Sequence, residues 1–115
     1  MKDSLFFIEH ILESIELIKR YTEGRSLEEF LNDVQFQDSV IRRLEIIGEA
    51  VKNIPDDIKK EHPEIPWKEI AGMRDIVVHG YFGIDLELTW RTVERDIPEL
   101  ERKISAIYEE LKSSE

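Results

Sequence analysis

The chain contains no cysteine among its 115 residues, so disulfide bridges and thiolate metal sites are both excluded. Its apolar runs are only a few residues long, which is too short for a membrane span. The first residues also lack the apolar core of a secretory signal. We therefore expect a cytoplasmic protein without a membrane partner, folded as a single domain over residues 1–115.

Basic residues are scarce relative to acidic ones. Lysines and arginines number 16 against 26 aspartates and glutamates, which gives a net charge of −10. This balance argues against a broad, non-specific nucleic-acid binder, because such proteins normally carry a basic face. The excess of acidic residues is not spread evenly along the chain, since residues 40–81 hold seven basic and eight acidic residues. An anion-binding site is therefore expected in this nearly neutral middle of the chain.

No strand-like alternation stands out, whereas a period of 3.6 residues does. Residues 5–21 carry apolar side chains at positions 5, 8, 11, 12, 15 and 18. This single stripe predicts a first helix, with Gly24 as its stop. Ser26 and Glu29 have the spacing of a capping box and predict the start of a short second helical segment.

Two prolines divide the middle of the chain. Asp33 is placed to cap a long central helix, and Pro55 either ends that helix or bends the chain. Pro66 suits the start of a later helix, because the N–H group that proline lacks has no helical partner there. Gly80 is predicted to close that helix.

The last segment follows Asp85, a predicted cap, and extends to Leu111 with Pro98 inside it. Because proline interrupts helical hydrogen bonding, we expect a kink or a split near Ile97. Together these segments predict an all-α fold, an antiparallel bundle of four to five helices with short connections. Residues 112–115 are expected to fray.

Arg74 and His79 form the most informative pair in the sequence, and they lie in the nearly neutral middle region. Arginine holds phosphate oxygens with a planar, permanently charged group. Histidine can both accept and donate a proton near neutral pH. These two side chains are the minimal set for cleaving a phosphodiester without a metal.

Helix geometry separates this pair on a straight helix. At 100° per residue, His79 lies roughly 140° from Arg74. The two side chains can converge in a distorted last turn at Gly80, or across a two-fold interface that brings a second copy of each. A plainer interpretation also stands. Arg74 and Asp75 then form an ordinary ion pair, and the histidine only complements the helix dipole.

Four charged residues of the central helix are further candidates: Arg42, Arg43, Glu45 and Glu49. The two glutamates are four residues apart on one face and could support acid–base chemistry or hold a metal. Ion pairs with the preceding arginines are the favoured interpretation. Gly48, in the same helix, indicates a close helix crossing.

The aromatic and remaining histidine side chains favour structural roles. Four aromatic residues are interpreted as core or interface rather than as base-stacking platforms: Phe6, Phe7, Trp67 and Trp90. His10 and His62 have no obvious partners in the sequence and are interpreted as surface or capping groups.

The spacing Arg74-x4-His79-x-Tyr81 resembles the R-x4-6-H signature of HEPN domains, in the R-x4-H-x-Y form of the HepT-like toxins. Residues 42–50 resemble that family's central helix, and residues 66–75 resemble its approach to the motif. Residues 85–104 are similar to its last helices. The resemblance therefore covers nearly the whole chain in the right order.

The resemblance implies a helical bundle that dimerises to form a composite ribonuclease site. It also implies a metal-independent RNase toxin without a cofactor, whose antitoxin is a MntA-like minimal nucleotidyltransferase. Arg74 and His79 map onto the catalytic pair, and Asp75 maps onto the polar position that orients it. Tyr81 maps onto the tyrosine that the antitoxin adenylylates. The four charged residues of the central helix are candidates for supporting this pair.

Two alternatives remain open. In the first, the chain is a catalytically inactive HEPN-like dimer that serves as a binding module and AMP acceptor for a nucleotidyltransferase. In the second, it is a structural bundle in which Arg74 and Asp75 pair without a catalytic role. The strong net acidity motivates the first of these.

Overall fold

The computed structural model describes residues 2–72 and 85–113, with side chains from Ser4 onward. Within these ranges every regular element is helical, which confirms the predicted all-α class. In chain order the helices are α1 (Lys2–Thr22), α2 (Leu27–Asn32), α3 (Val34–Lys52), α4 (Asp56–Glu61), α5 (Trp67–Ala71), α6 (Leu86–Arg91) and α7 (Ile97–Ser113). A π-helical turn, Thr92–Asp96, joins α6 to α7.

Helix α1 lies at the centre of the bundle and packs against both α3 and α7. Lys19, near the end of α1, pairs with Glu101, near the start of α7, with 3.2 Å between Nζ and Oε1. Phe6, from the start of α1, lines one groove together with Asn53, which follows the end of α3. Helix α1 therefore runs antiparallel to both neighbours, as the bundle prediction requires.

The first helix buries one stripe of isoleucines, at positions 8, 11, 15 and 18, each with 0% exposure. After α1 the chain turns at Gly24, whose φ of +71° is a left-handed conformation that glycine adopts without strain. The Ser26 hydroxyl then accepts a hydrogen bond from the Glu29 N–H at 3.2 Å. The Glu29 carboxylate accepts from the Ser26 N–H at 3.2 Å, so the capping box is confirmed.

Helix α3 begins as predicted, because the Asp33 carboxylate accepts from the Phe36 N–H at 3.0 Å. Arg25 adds a contact to the same carboxylate at 3.1 Å. The backbone N–H of Phe36 and then the Arg25 guanidinium hold the pKa of Asp33 below its usual value. The helix ends at Lys52, shortly before Pro55.

Helix α5 starts directly after Pro66 but ends at Ala71, well before the predicted end at Gly80. The N–H of Gly72 donates to the Lys68 carbonyl at 3.0 Å and closes this short helix. The prediction of a single helix from Pro66 to Gly80 is therefore wrong. Glycine is a poor helix former, and Gly72 lies at a position where the predicted helix would have to continue. Gly80 itself lies outside the described residues.

The last segment is split, as Pro98 predicted, and the split precedes the proline. The Ile97 N–H donates to the Thr92 carbonyl five residues earlier, which is the π-helical pattern. The wider turn places Pro98 in the first turn of α7, where its missing N–H costs little. Helix α7 then continues to Ser113, whose hydroxyl donates to the Glu109 carbonyl.

An aromatic cluster joins three of the helices. Phe30 of α2 has 0% exposure and lies 5.3 Å from Phe36 of α3 and 5.2 Å from Trp90 of α6, centroid to centroid. Trp90 is therefore a core residue, as predicted, and Gly48 is buried within α3. None of the described helices is long and apolar enough to cross a membrane.

Candidate active site and its frame

The predicted catalytic motif lies outside the described residues. Arg74, Asp75, His79 and Tyr81 all fall within residues 73–84. The described structure defines the two points from which this stretch departs and to which it returns, namely Gly72 after α5 and Asp85 before α6. It also places the four charged candidates of α3.

The entry point is anchored by the turn before α5. The indole Nε1 of Trp67 donates to the His62 carbonyl at 3.0 Å. Ile65 and Ile70 are buried, with 2% and 4% exposure, and α5 packs against α3. Trp67 is thus a half-buried structural residue, and the backbone reaches Gly72 from a fixed position.

The exit point is anchored by capping and by aromatic packing. The Asp85 carboxylate accepts from the Leu88 N–H at 3.0 Å, which confirms the predicted cap. The Thr89 hydroxyl donates to the Asp85 carbonyl at 3.3 Å. One residue later Trp90 enters the aromatic cluster with Phe30. Both ends of the motif-bearing stretch are therefore attached to the core.

Three of the four charged candidates on α3 share a groove of about 450 Å³ between α1 and α3. Arg42, Glu45 and Glu49 line it, and the half-buried Arg43 is not among its lining residues. The predicted ion pairs are not formed: among the described residues, no carboxylate lies within 4.0 Å of Arg42 or Arg43 in a salt bridge. Exposed helix pairs gain little, because Coulomb attraction in water barely exceeds the entropy of fixing two long side chains.

Aromatic residues from α1 form the other wall of this groove. Phe6 is 55% exposed, and its ring meets His10 edge-on at 4.4 Å and Phe7 at 5.4 Å. Phe7 is half-buried and packs against the core. Of the two roles predicted for Phe6, core or interface, its exposure leaves the interface role, which stays a prediction.

A second groove, of about 430 Å³, lies between α5 and the start of α7. The charged residues that line it are mostly acidic: Glu64, Glu69, Asp96, Glu99 and Lys103. The sequence did not predict this groove, because its acidic residues come from separate parts of the chain with no common spacing. Such a surface repels phosphate, so RNA is not expected to approach from this side.

His62 has partners that the sequence did not reveal. Its Nδ1 lies 3.1 Å from Glu64 and its Nε2 lies 3.5 Å from Glu110. The backbone N–H of Glu64 itself, and then His62 and Lys103, hold the pKa of Glu64 below its usual value. His62 therefore has partners that were not obvious from the sequence, and Glu110, which lies far along the chain, meets it at the end of α4.

Among the described residues, one group brings potential metal ligands together: Glu61, His62 and Glu110, with ligand atoms within 4.8 Å of one another. The two glutamates are exposed. The contact between His62 Nε2 and the Glu110 carboxylate accounts for their approach without a metal. This cluster therefore adds no metal site to the interpretation of the chain.

Comparison with known proteins assigns the chain to a family. Residues 11–107, which include the whole of the predicted motif, match the family described as "Ribonuclease HepT-like". This chain belongs to the HepT-like ribonuclease family. The prediction made from Arg74, His79 and the ordered flanking segments is thereby confirmed at the level of the family.

Relatives of the HepT-like chain support the same assignment. It is 52% identical over 101 residues to "Probable ribonuclease HepT" of Thermococcus cleftensis, covering 88% of this chain and 92% of the relative. It is 43% identical over 112 residues to a "Putative RNase" of Caldanaerobacter subterraneus subsp. tengcongensis, covering 97% and 100%. No solved structure matches the chain with significance.

A longer relative contains a similar segment. The chain is 52% identical over 110 residues to "Gamma-glutamylcyclotransferase and putative RNase" of Methanocaldococcus jannaschii. That alignment covers 96% of this chain but only 50% of the relative, so the chain spans about half of that relative's length.

Proposed function

We propose that the protein is a metal-independent endoribonuclease toxin in which Arg74 and His79 carry out the chemistry. The observation that supports this most directly is the coincidence of motif and family. The R-x4-H spacing at positions 74–79 lies within the segment that matches the HepT-like ribonuclease family. Relatives that align with 92% and 100% of their own lengths carry ribonuclease names.

The proposed reaction is an internal transesterification of RNA. The ribose 2′-oxygen gives its proton to a His79 imidazole and forms a bond to phosphorus, while the bond to the 5′-oxygen breaks. The leaving oxygen takes a proton from an imidazolium. Arg74 neutralises the charge that builds on the phosphoryl oxygens, and Asp75 orients the pair. DNA lacks the attacking 2′-hydroxyl and is therefore not a substrate.

In this proposal a homodimer brings the two side chains together, since they lie roughly 140° apart on a straight helix. A two-fold axis duplicates every residue of the interface, so two Arg74 and two His79 side chains gather in one cleft. This local positive charge is needed because the chain carries a net charge of −10 and a groove lined by acids. We expect this single domain to act in the cytoplasm.

A partner enzyme completes the proposal. A MntA-like nucleotidyltransferase acts as the antitoxin by adenylylating Tyr81, two residues beyond His79. The added AMP is bulky and negatively charged, so it blocks RNA by occupancy and by repulsion. No cofactor takes part in cleavage.

A second candidate function is a catalytically inactive dimer that serves as an AMP acceptor for the nucleotidyltransferase. The acidic groove beside α5 favours it, because four carboxylates near the start of the motif-bearing stretch oppose RNA binding. In this version Tyr81 is still modified, but the unmodified protein cuts no RNA.

RNA cleavage in the presence of EDTA tests the two versions. We expect the wild type to cut RNA but not DNA, and we expect His79→Ala and Arg74→Ala to lose at least roughly 100-fold in rate. Arg102→Ala is the matched control, because Arg102 is an exposed arginine on α7 with 76% side-chain exposure. Equal rates for wild type and His79→Ala would refute the catalytic assignment.

The same purified protein also tests whether the chain is instead an inactive AMP acceptor. Incubation with ATP and a MntA-like nucleotidyltransferase should add the mass of AMP to the wild type but not to Tyr81→Phe. Modification without any RNA cleavage by the unmodified protein would select the AMP acceptor. Failure of both reactions would leave only the structural bundle.

A further inference from the structure

We infer that the acidic groove between α5 and the start of α7 is a docking surface for a basic segment of another protein, in which lysine or arginine alternates with apolar side chains. The proposed catalysis does not use this groove, so the inference does not depend on that proposal. Three properties of the groove support it: an apolar floor, an excess of negative charge on the rim, and a lysine ammonium group that it already holds.

The floor of the groove is apolar. The buried side chains of Ile70 and Leu100 line it, each with 4% exposure, and the exposed Pro66 lies beside them. Ile70 belongs to α5 and Leu100 to α7, so two helices that are distant in the sequence form this floor together. An apolar centre within a charged rim is the usual arrangement of a surface that binds another protein.

The rim of the groove has an excess of negative charge. Four carboxylates and one ammonium group line it, which leaves a net charge of −3. Glu99 lies in a salt bridge, and Glu64 contacts an imidazole nitrogen. Glu69 on α5 and Asp96 at the end of the π-helical turn form no salt bridge with any described residue. Each side of the groove therefore presents one carboxylate that a basic partner can pair with.

Lys103 shows which chemistry the groove accepts. Its Nζ lies 3.2 Å from the Glu99 carboxylate and donates to the Glu64 carbonyl at 3.3 Å. A lysine places its methylene stem along apolar surface while its charged head reaches a carboxylate. A lysine or arginine of a partner can contact Glu69 or Asp96 in the same way, with an apolar neighbour packed on the floor.

The charge of the rim disfavours other occupants. RNA brings phosphates against four carboxylates, and an acidic protein segment meets the same repulsion. A second copy of this chain carries a net charge of −10 and is a poor match for an acidic rim. A polyamine matches the rim but has no branched apolar group for the floor. A segment with both basic and apolar side chains is therefore the best complement.

The first test measures how short lysine peptides bind the wild-type protein in fluorescence anisotropy. In one peptide lysine alternates with leucine, and in the other it alternates with serine. We expect the leucine peptide to bind at least roughly tenfold more tightly, because only leucine removes apolar surface from water at the floor. A peptide in which glutamate alternates with leucine should not bind, since its charge has the same sign as the rim.

The second test neutralises the two carboxylates that lack a salt bridge. Glu69→Gln combined with Asp96→Asn should weaken binding of the leucine–lysine peptide at least roughly fivefold, because two exposed charge pairs are lost. Glu28→Gln combined with Asp38→Asn is the matched control, since both residues are exposed and lie outside the groove. This control removes the same charge and should change the affinity by less than about twofold, because salt screens distant charges. Circular dichroism confirms that both double variants are folded.

Four results would each overturn the docking surface. The first is no binding of the leucine–lysine peptide, or equal binding of the leucine and serine peptides. The second is an equal loss of affinity in the groove variant and the control. The third is spermidine binding as tightly as the leucine peptide, which would assign the groove to small cations. The fourth is altered self-association of the groove variant in sedimentation equilibrium, which would assign the groove to a second copy.

These readouts are independent of RNA cleavage. A protein that binds the leucine–lysine peptide through Glu69 and Asp96 but cuts no RNA would support the docking surface and refute the ribonuclease proposal. A protein that cuts RNA but does not distinguish the peptides would do the reverse.

Discussion

Truncating Phe30 to alanine removes the ring on which the aromatic cluster is centred. Phe30 has 0% exposure, and its centroid lies 5.3 Å from that of Phe36 and 5.2 Å from that of Trp90. The Phe36 and Trp90 rings also lie 5.9 Å apart, so the three side chains form a closed triangle. The change leaves a cavity among α2, α3 and α6 that neither rigid ring can fill.

The expected cost is about 3 to 5 kcal/mol, the usual range for a buried Phe→Ala change, which includes both lost transfer free energy and the cavity. A chain of 115 residues has a free energy of unfolding of roughly 6 to 17 kcal/mol. The variant therefore remains folded in most of that range but loses a large share of its stability. With a urea m-value of about 1.5 kcal/mol/M, the unfolding midpoint should fall by roughly 2 to 3 M.

Urea unfolding followed by circular dichroism measures this shift. All variants are compared at one protein concentration, because the proposed dimer would make stability concentration-dependent. Val34→Ala is the control, since Val34 is 68% exposed and should change stability by no more than about 0.5 kcal/mol. A loss below about 1 kcal/mol in Phe30→Ala would refute the view that this cluster holds α6 in place. RNA cleavage measured on the same variant shows whether the exit anchor of the motif-bearing stretch matters for activity.

Two further predictions concern the helix starts. Ser26→Ala removes the hydroxyl of the capping box and should cost about 1 kcal/mol in urea unfolding, whereas Ser26→Asp should keep most of the stability. Because the folded-state pKa of Asp33 is lowered, its carboxylate stabilises the fold above the usual aspartate pKa, and this contribution is lost as pH falls through the lowered value. Asp33→Asn should therefore be less stable than wild type near pH 7 and approach it as the pH falls below the usual aspartate pKa and through the lowered one. Asp38→Asn, a change at an exposed position of the same helix, is the control and should alter stability at pH 7 by no more than about 0.5 kcal/mol. A pH-independent difference for Asp33→Asn would contradict the linkage.

Local sequence signals predicted the helix starts well. The capping residues Ser26, Asp33 and Asp85 each act through a hydrogen bond to a backbone N–H three residues later, so a short window contains the whole interaction. The isoleucine stripe of α1 likewise follows from helical spacing alone. Pro98 predicted a break, although the structure places the irregular turn just before it.

Long-range features were harder to predict from the sequence. His62 meets Glu110, 48 residues away, and no local pattern relates the two. Arg42 and Glu45 have the spacing of an ion pair, but a competing orientation toward the groove costs almost nothing at an exposed site. The sequence left Phe6 as core or interface, because hydrophobicity alone does not show which side of α1 has a neighbour. The motif was found by its spacing and by its ordered flanks.

The π-helical turn between α6 and α7 has a consequence for how the two ends of the bundle are coupled. Helix α6 packs against α2, whereas α7 packs against α1. A continuous α-helix would transmit any rotation at Asp85 directly along its axis to Leu100 and beyond. At Thr92–Asp96 the α-helical hydrogen bonds are replaced by the wider π-helical pattern. The wide turn therefore lets α6 keep its contact with α2 and α7 keep its contact with α1, although the two helices do not share one continuous register.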